Sequence, residues 1–250
     1  MLAAKSWVHA SFRAGRRWLR PARSAEPTAA TGRAATPGIV PIRALSAAHR
    51  ERVRGHLLAL GAADRVLRFG WRASDAQVEA YVDRLDFVRD QLFGIFNRRL
   101  DLIALAHLAL APRGPSGQPG DSADLGLSVL PHARGRGYGG RLFARAAMQA
   151  RNTGVGRLAI QALGRNAAML RIARRAGATV QRSGPDAEAW LNLPPATLDS
   201  RIRLWRAAQL GETDYRLKRD AKRLRDWIAR LQEAWAVRPD VRGGGRVAGG

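Results

Sequence analysis

The stretch LSVLPHARGRGYGGRLFARAAMQARNTG, residues 127–154, decides the fold. It starts as an apolar strand, breaks at Pro131, passes Gly135, Gly137, Gly139 and Gly140, and runs on as an amphipathic segment to Asn152. Glycines between a strand and a helix let the backbone approach an anion closely. The unpaired amides of the first helical turn then point at that anion with the positive end of the dipole. Arg134 and Arg136 add full charges, and a diphosphate is the ligand that best fits such a cradle.

Taken alone the turn is ambiguous, because Gly135, Gly137 and Gly140 also satisfy the G-x-G-x-x-G spacing of dinucleotide-binding folds. Those folds open with the turn after their first strand and carry an acid about 20 residues later for a ribose. Here several strands precede the turn, no acid follows the strand RLAIQAL, and too little chain remains for a second half. Only a 2′-phosphate reader using Arg165 escapes the missing acid. Between Asp124 and Asp186 there is no acidic residue at all, so the turn, its helix and the next strand and helix form one positive unit.

Working outward, ADLGLSVL before the turn reads as a strand. After it come a helix from about Gly139 to Asn152, the strand RLAIQAL, a helix from about Asn166 to Ala176, and the strands ATVQRS and EAWLNL. Further upstream, QLFGIFNRR and LDLIALAHLAL form a hairpin about a polar turn, and PRGPSGQPGDS is a loop by composition. IVPIRAL reads as a short strand. Ser46 caps a helix bearing Val53, Leu57, Leu58 and Leu60, and Ser74 with Asp75 signals another bearing Val78, Tyr81, Val82 and Leu85. The expected architecture is α/β: a mixed, mostly antiparallel central sheet with a parallel pair in its middle, helices on both faces and a C-terminal helical extension.

The 250 residues carry a formal charge of +23, almost wholly from arginine, which favours polyanions: phosphorylated cofactors, nucleic acid or acidic protein surfaces. There is no cysteine, which removes disulfides and thiolate chemistry and points to a reducing cytoplasm. The five histidines show no metal-ligand spacing. No apolar stretch approaches the roughly 20 residues of a membrane span. Residues 1–37 read as a flexible basic arm, whose arginine-rich, acid-poor start also has the look of a mitochondrial presequence. Residues 38–194 form the main domain, 195–237 a basic helical extension and 238–250 a disordered tail. In the extension Leu217, Ala221, Leu224, Ile228, Leu231 and Trp235 make an apolar stripe, which is expected to bury against the domain itself or against a second chain as a homodimer.

From about Ile39 to Leu193 the chain resembles the GNAT superfamily of N-acetyltransferases. Arg134-Gly135-Arg136-Gly137-Tyr138-Gly139 fits its acetyl-CoA signature, and NAAMLRIARRAGA matches its second motif, with Asn166 opening the helix and Gly177 closing it. The resemblance implies acetyl-CoA as co-substrate. The strand end at Val129 and Leu130 would meet the pantetheine arm, and a backbone N–H near Val129 would polarise the thioester. Residues Arg134, Gly135, Arg136, Gly137, Tyr138, Gly139 and Gly140 would hold the pyrophosphate, and Asn166 would bond to the arm while also serving as a helix N-cap.

An amine acceptor must lose a proton before it attacks, and many relatives use a carboxylate on the strand before the turn, the place held here by Asp124. Asp124 is also suited to an ordinary salt link. One departure stands out: where many relatives carry a tyrosine to protonate the leaving thiolate, this chain has Ala173. The pattern with Met169 and Ile172 resembles the branch of bacterial protein-lysine acetyltransferases. The implied activity is transfer of an acetyl group to a primary amine, of a small molecule or a protein lysine. The rivals are a CoA-binding or anion-binding module without turnover and a basic nucleic-acid binder. Arg68, Trp71 and Trp190 are candidates to line an acceptor pocket, although tryptophan at such spacing is more often core.

Overall fold

The computed structural model describes residues 40–111, 121–163, 166–183 and 186–236. The expected basic arm at 1–37 and tail at 238–250, and most of the Pro/Gly/Ser insert, lie outside the described residues.

Seven strands make one sheet: β1 (Arg43–Leu45), β2 (Gln91–Phe96), β3 (Leu102–Leu110), β4 (Ser122–Val129), β5 (Arg157–Leu163), β6 (Thr179–Ser183) and β7 (Asp186–Asn192), in the order β1-β2-β3-β4-β5-β7-β6. Every neighbouring pair is antiparallel except β4 and β5, which run parallel in the middle. The β2–β3 hairpin turns where Asn97, Arg98 and Arg99 predict it. The Asn97 side chain accepts from the Arg99 and Asp101 amides at 2.8 and 2.9 Å, which shapes the loop from its own sequence.

Helices cover both faces: α1 (Arg50–Leu58), α2 (Ala62–Phe69) and α3 (Asp75–Asp83) on one, α4 (Tyr138–Asn152) and α5 (Ala167–Arg175) on the other. Val53 and Leu57 of α1 pack with Val78 and Val82 of α3 over Leu92 and Leu105. Leu142, Phe143 and Ala146 of α4 pack with Met169, Leu170 and Ala173 of α5 over Phe93, Ala106 and Leu125. Truncating the buried Phe143 to alanine would cost about 3–5 kcal/mol. Ser74 caps α3 as expected: its hydroxyl accepts from the Gln77 N–H at 3.3 Å, and Gln77 Oε1 accepts from the Ser74 N–H at 2.9 Å. The sequence reading does not resolve α2. That helix is short, starts after Gly61 with no side-chain cap, ends at Gly70 in the left-handed region (φ 90°), and has no fully buried residue.

The C-terminal extension is a single helix, α6 (Leu198–Ala236), and here one expectation is corrected. The stripe does not bury against the domain: Leu217, Leu224 and Ile228 are 66, 57 and 41% exposed. The contact is made by another face. Tyr215 is buried with Phe96 and His49, Gly211 abuts the Ile42 carbonyl with no room for a Cβ, and Lys218 Nζ donates to the Phe96 carbonyl at 3.0 Å. A small residue, an aromatic and a cation with an aliphatic stem do the docking, a face that a count of large aliphatics does not pick out. Among the described residues, no helix is long and apolar enough to cross a membrane.

Candidate functional site

The parallel pair is where the sheet opens. β4 pairs with β5 only from Ser122 to Asp124, opposite Arg157 to Ala159. On its other edge β4 stays paired with β3 along its whole length, from Ala123 opposite Leu110 to Val129 opposite Ala104. Just beyond, the Leu130 N–H donates to the Ile103 carbonyl at 3.0 Å. Backbone groups of an antiparallel strand alternate between its two edges. Residues 124, 126 and 128 therefore turn theirs to β3 like Leu130, while Leu125, Leu127 and Val129 direct theirs into the fork. The Val129 carbonyl accepts from Arg134 Nε at 3.1 Å, and its N–H faces the opening. Leu130 departs from expectation. Its N–H is taken by Ile103, its carbonyl accepts from the Ala133 N–H at 2.9 Å, and its side chain is buried.

Past the fork lies the glycine turn. Gly135 and Gly137 adopt φ of 76 and 74°, with Gly137 at the N-cap of α4, a backbone shape that a side chain would strain. A Cβ at Gly135, Gly137 or Gly140 would meet nothing within 4 Å, so the turn presents open backbone. The helical ladder starts with the Arg141 N–H donating to the Gly137 carbonyl at 3.2 Å, which leaves the preceding amides as the uncommitted first turn. Gly139 sits tightly, a Cβ there lying 3.0 Å from Ile172 Cδ1, and Tyr138 packs half-buried against the core. Arg136 is exposed, whereas Arg134 Nη2 is paired with Asp64 Oδ1 at 2.7 Å. Asn166 caps α5, its Oδ1 accepting from the Met169 N–H at 3.1 Å, and its Nδ2 donates to the Leu67 carbonyl at 3.5 Å. Asp64 and Leu67 both belong to α2, so this helix lies across the fork from the glycine turn to the start of α5. A cavity of about 600 Å³ runs along its Ala62, Ala63, Val66 and Leu67, with Arg72 at one end.

On the face of β4 opposite α4 stand Asp124, Gly126 and Ser128 in alternation. Burial raises the Asp124 carboxyl above its ordinary range, and that carboxylate has no ion-pair or hydrogen-bond partner among the described residues. Ser128 donates to His56 Nε2 at 2.8 Å while His56 Nδ1 donates to the Leu102 carbonyl at 2.7 Å, a pairing that fixes a neutral imidazole. Burial pushes His56 down to about 4.

Beside them runs a chain that the sequence reading misses. Arg68 Nη2 donates to Tyr81 Oη at 3.0 Å, Tyr81 donates to His107 Nδ1 at 2.6 Å, and His107 Nε2 donates to Asp90 Oδ2 at 3.2 Å. Burial lowers His107 and keeps it neutral. For Asp90 burial pulls upward, but the hydrogen bonds from His107 and Arg89 outweigh it and hold the carboxyl below its usual range. Arg68 and Trp71, named as pocket candidates, do lie on this side, and Phe69 and Trp71 meet ring to ring at 5.8 Å. Trp190 stands on β7, two strands from β4. No spacing announces Tyr81, Asp90 and His107, which come from a helix, a loop and a strand. Ala173 is fully buried in the core, so the position expected to carry a hydroxyl carries none.

An acetyltransferase (GNAT) domain model matches residues 41–179, more than half of the chain. No curated protein matches. Among solved structures, the GNAT domain of S. lividans PAT is 23% identical, covering 61% of this chain and 89% of its own, with a TM-score of 0.50. An acetyltransferase of the GNAT family from Streptococcus pneumoniae is 13% identical, with coverage of 61 and 98% and a TM-score of 0.49. YncA of Salmonella typhimurium, whose structure carries acetyl-CoA, is 17% identical, with coverage of 62 and 95% and a TM-score of 0.45.

Proposed function

The chain belongs to the GNAT acetyltransferase family, and from that premise we propose that it moves an acetyl group from acetyl-CoA to a primary amine. One observation carries the reading: an open cradle of bare amides ends in a fork whose other side holds a half-buried carboxylate without a partner among the described residues. The amides from 136 to 140, with Arg136, hold the pyrophosphate. Asn166 and the fork edge of β4 align the pantetheine arm, a task that falls to Leu127 and Val129 and not to Leu130. Acetyl-CoA supplies the reactive thioester. The Leu127 N–H, which opens into the fork nearer Asp124, polarises its carbonyl, and charge building on that oxygen is stabilised by a donor already in place.

Asp124 takes the proton from the acceptor, directly or through a water. Free amines titrate near about 10.4 and only the neutral form attacks. A carboxyl raised by burial is the better base. The amine nitrogen bonds to the acetyl carbon, the carbon–sulfur bond breaks, and the thiolate leaves as such or takes its proton from solvent, since Ala173 offers none. The transferase unit is the domain at 38–194, acting in the cytoplasm.

Thiol release from acetyl-CoA with a panel of amines tests this directly: release with wild type and near-background release with Asp124→Ala are expected. The buried Ala173 favours one second reading, a CoA-binding module without turnover. Calorimetric CoA binding with no thiol release on any amine would decide for it. A nucleic-acid role driven by the basic α6 would appear as binding that weakens steeply with salt in a fluorescence anisotropy titration.

A further inference from the structure

Two opposite charges without counter-ions among the described residues lie at one face of β4 and do not touch. Asp124 is one. The other is Arg68, whose guanidinium lies flat over Gly126, the next residue on that face: a Cβ at Gly126 would sit 2.5 Å from Arg68 Cζ, so only glycine admits the cation there. Arg68 has no carboxylate within ion-pair distance among the described residues. Its Nε is buried without a hydrogen-bond partner, its Nη2 is spent on a neutral phenol, and its Cζ lies 5.2 and 5.6 Å from the rings of Phe69 and Tyr81. The nearby acid, Asp90, is already taken by Arg89 and His107. On the same helix Arg65 is paired with Asp75, and Asp64 is paired with Arg134 of the glycine turn, so Arg68 stands out by lacking a carboxylate among the described residues.

A half-buried arginine whose Nε is buried and unpartnered, with no carboxylate beside it among the described residues, has donors left to receive an anion. Residues two apart on a strand are separated by roughly 7 Å. The gap between a carboxylate and a guanidinium so placed is the size of a zwitterion, not of a long aliphatic amine.

We propose that the acceptor is a small amino acid, its amine facing Asp124 and its carboxylate received by Arg68. This assignment rests on the acyl-transfer reading above and narrows it away from protein lysines, whose side-chain amine carries no neighbouring carboxylate. Tyr81, His107 and Asp90 are positioning residues: the His107 ring, oriented by Asp90, accepts the Tyr81 proton and leaves the phenol oxygen to receive Arg68 and hold its plane over Gly126.

Matched acceptors that differ only in the carboxylate provide the test. With acetyl-CoA and the full chain, thiol release is measured on L-methionine against L-methioninamide and L-phenylalanine against L-phenylalaninamide. The amide's amine titrates lower and is intrinsically the readier nucleophile at neutral pH, so any preference for the acid comes from the protein. Wild type is expected to favour the acids by about tenfold to a hundredfold in kcat/KM, the range of a hydrogen bond to a charged group. Arg68→Gln should erase that preference through KM for the acids, with a much smaller change on the amides. Gly126→Ala, which leaves Arg68 in the chain but pushes its guanidinium off the strand, should do the same and guards against a poorly folded Arg68 variant.

Equal kcat/KM on acid and amide in wild type, or an equal loss on both in the variants, overturns the assignment. If no amine releases thiol, the acyl-transfer reading fails by itself. Calorimetric titration of the chain, with CoA present, then decides on the same compounds: binding of the amino acids that the amides lack, abolished by Arg68→Gln, supports the anion site, and its absence overturns it.

Discussion

The two sides of β4 are made of different material. The cradle at 134–140 is backbone: three open glycines, a helix start and one free arginine, all from a single short stretch. The face beneath α2 and α3 is side chain: Arg68, Tyr81, Asp90, His107 and Asp124 arrive from five separate segments and are held by burial and hydrogen bonds. Backbone recognition suits a ligand part that never changes, because no side-chain substitution can retune it except at a glycine. Side-chain recognition suits the part that does vary, since each residue can be exchanged alone.

The sharpest way to break this contrast is at Asp124. If the side-chain face does the proton chemistry, Asp124→Asn should lower kcat/KM by about 10²–10⁴ while the affinity for CoA stays put. Because burial raises this carboxyl, its ionised form is held at a cost at neutral pH, and the same variant should melt no lower than wild type. The acid limb of kcat/KM should lie above the ordinary carboxylate range; a variant with unchanged turnover would remove Asp124 from the chemistry.

Next in size is the pH response of the side-chain face. His56 titrates near 4 in the fold and near 6.5 when unfolded, so as pH falls through that window the unfolded chain takes up a proton that the native one refuses. Stability is thus complete above about 6.5 and should drop by roughly 3 kcal/mol on reaching pH 4. Denaturant titrations at several pH values read this directly, and His56→Gln should flatten part of the slope. His107 contributes in the same direction.

The backbone side is sharpened by smaller changes. Gly137→Val forces a branched residue into φ near 74°, which costs about 1–2 kcal/mol and tilts the amides, so CoA binding should weaken by about tenfold with rates on saturating donor little altered. Smallest of all, Asp64→Asn releases Arg134 from its partner, and acetyl-CoA affinity measured by calorimetry should improve by about two- to fivefold, the scale of a partly exposed ion pair.

The same contrast explains what could be read from the chain alone. Residues that act through the backbone announce themselves locally: Gly135 and Gly137 take the left-handed turn, Asn166 and Ser74 cap their helices, Asn97 shapes its hairpin loop, and the strand at 157–163 follows from its composition. Residues that act through space leave no such trace. Tyr81, Asp90 and His107 meet because β2, which Asp90 precedes, pairs with β3 and because Tyr81 of α3 reaches His107, and Gly126 gains its meaning from an arginine nearly sixty positions earlier. The stripe on α6 leaves its partner unsaid for the same reason, since spacing records which residues share a face but not which face the domain chooses. Leu130 fails by one residue of strand alternation, a detail of register that apolar composition does not encode.

Asp64 and Arg68 stand one helical turn apart on α2, the first bound to the donor's arginine and the second resting on the acceptor's strand. This eight-residue segment, bracketed by Gly61 and Gly70 and with no fully buried side chain, therefore touches both proposed seats, and under that reading a shift of the helix felt at one would be felt at the other.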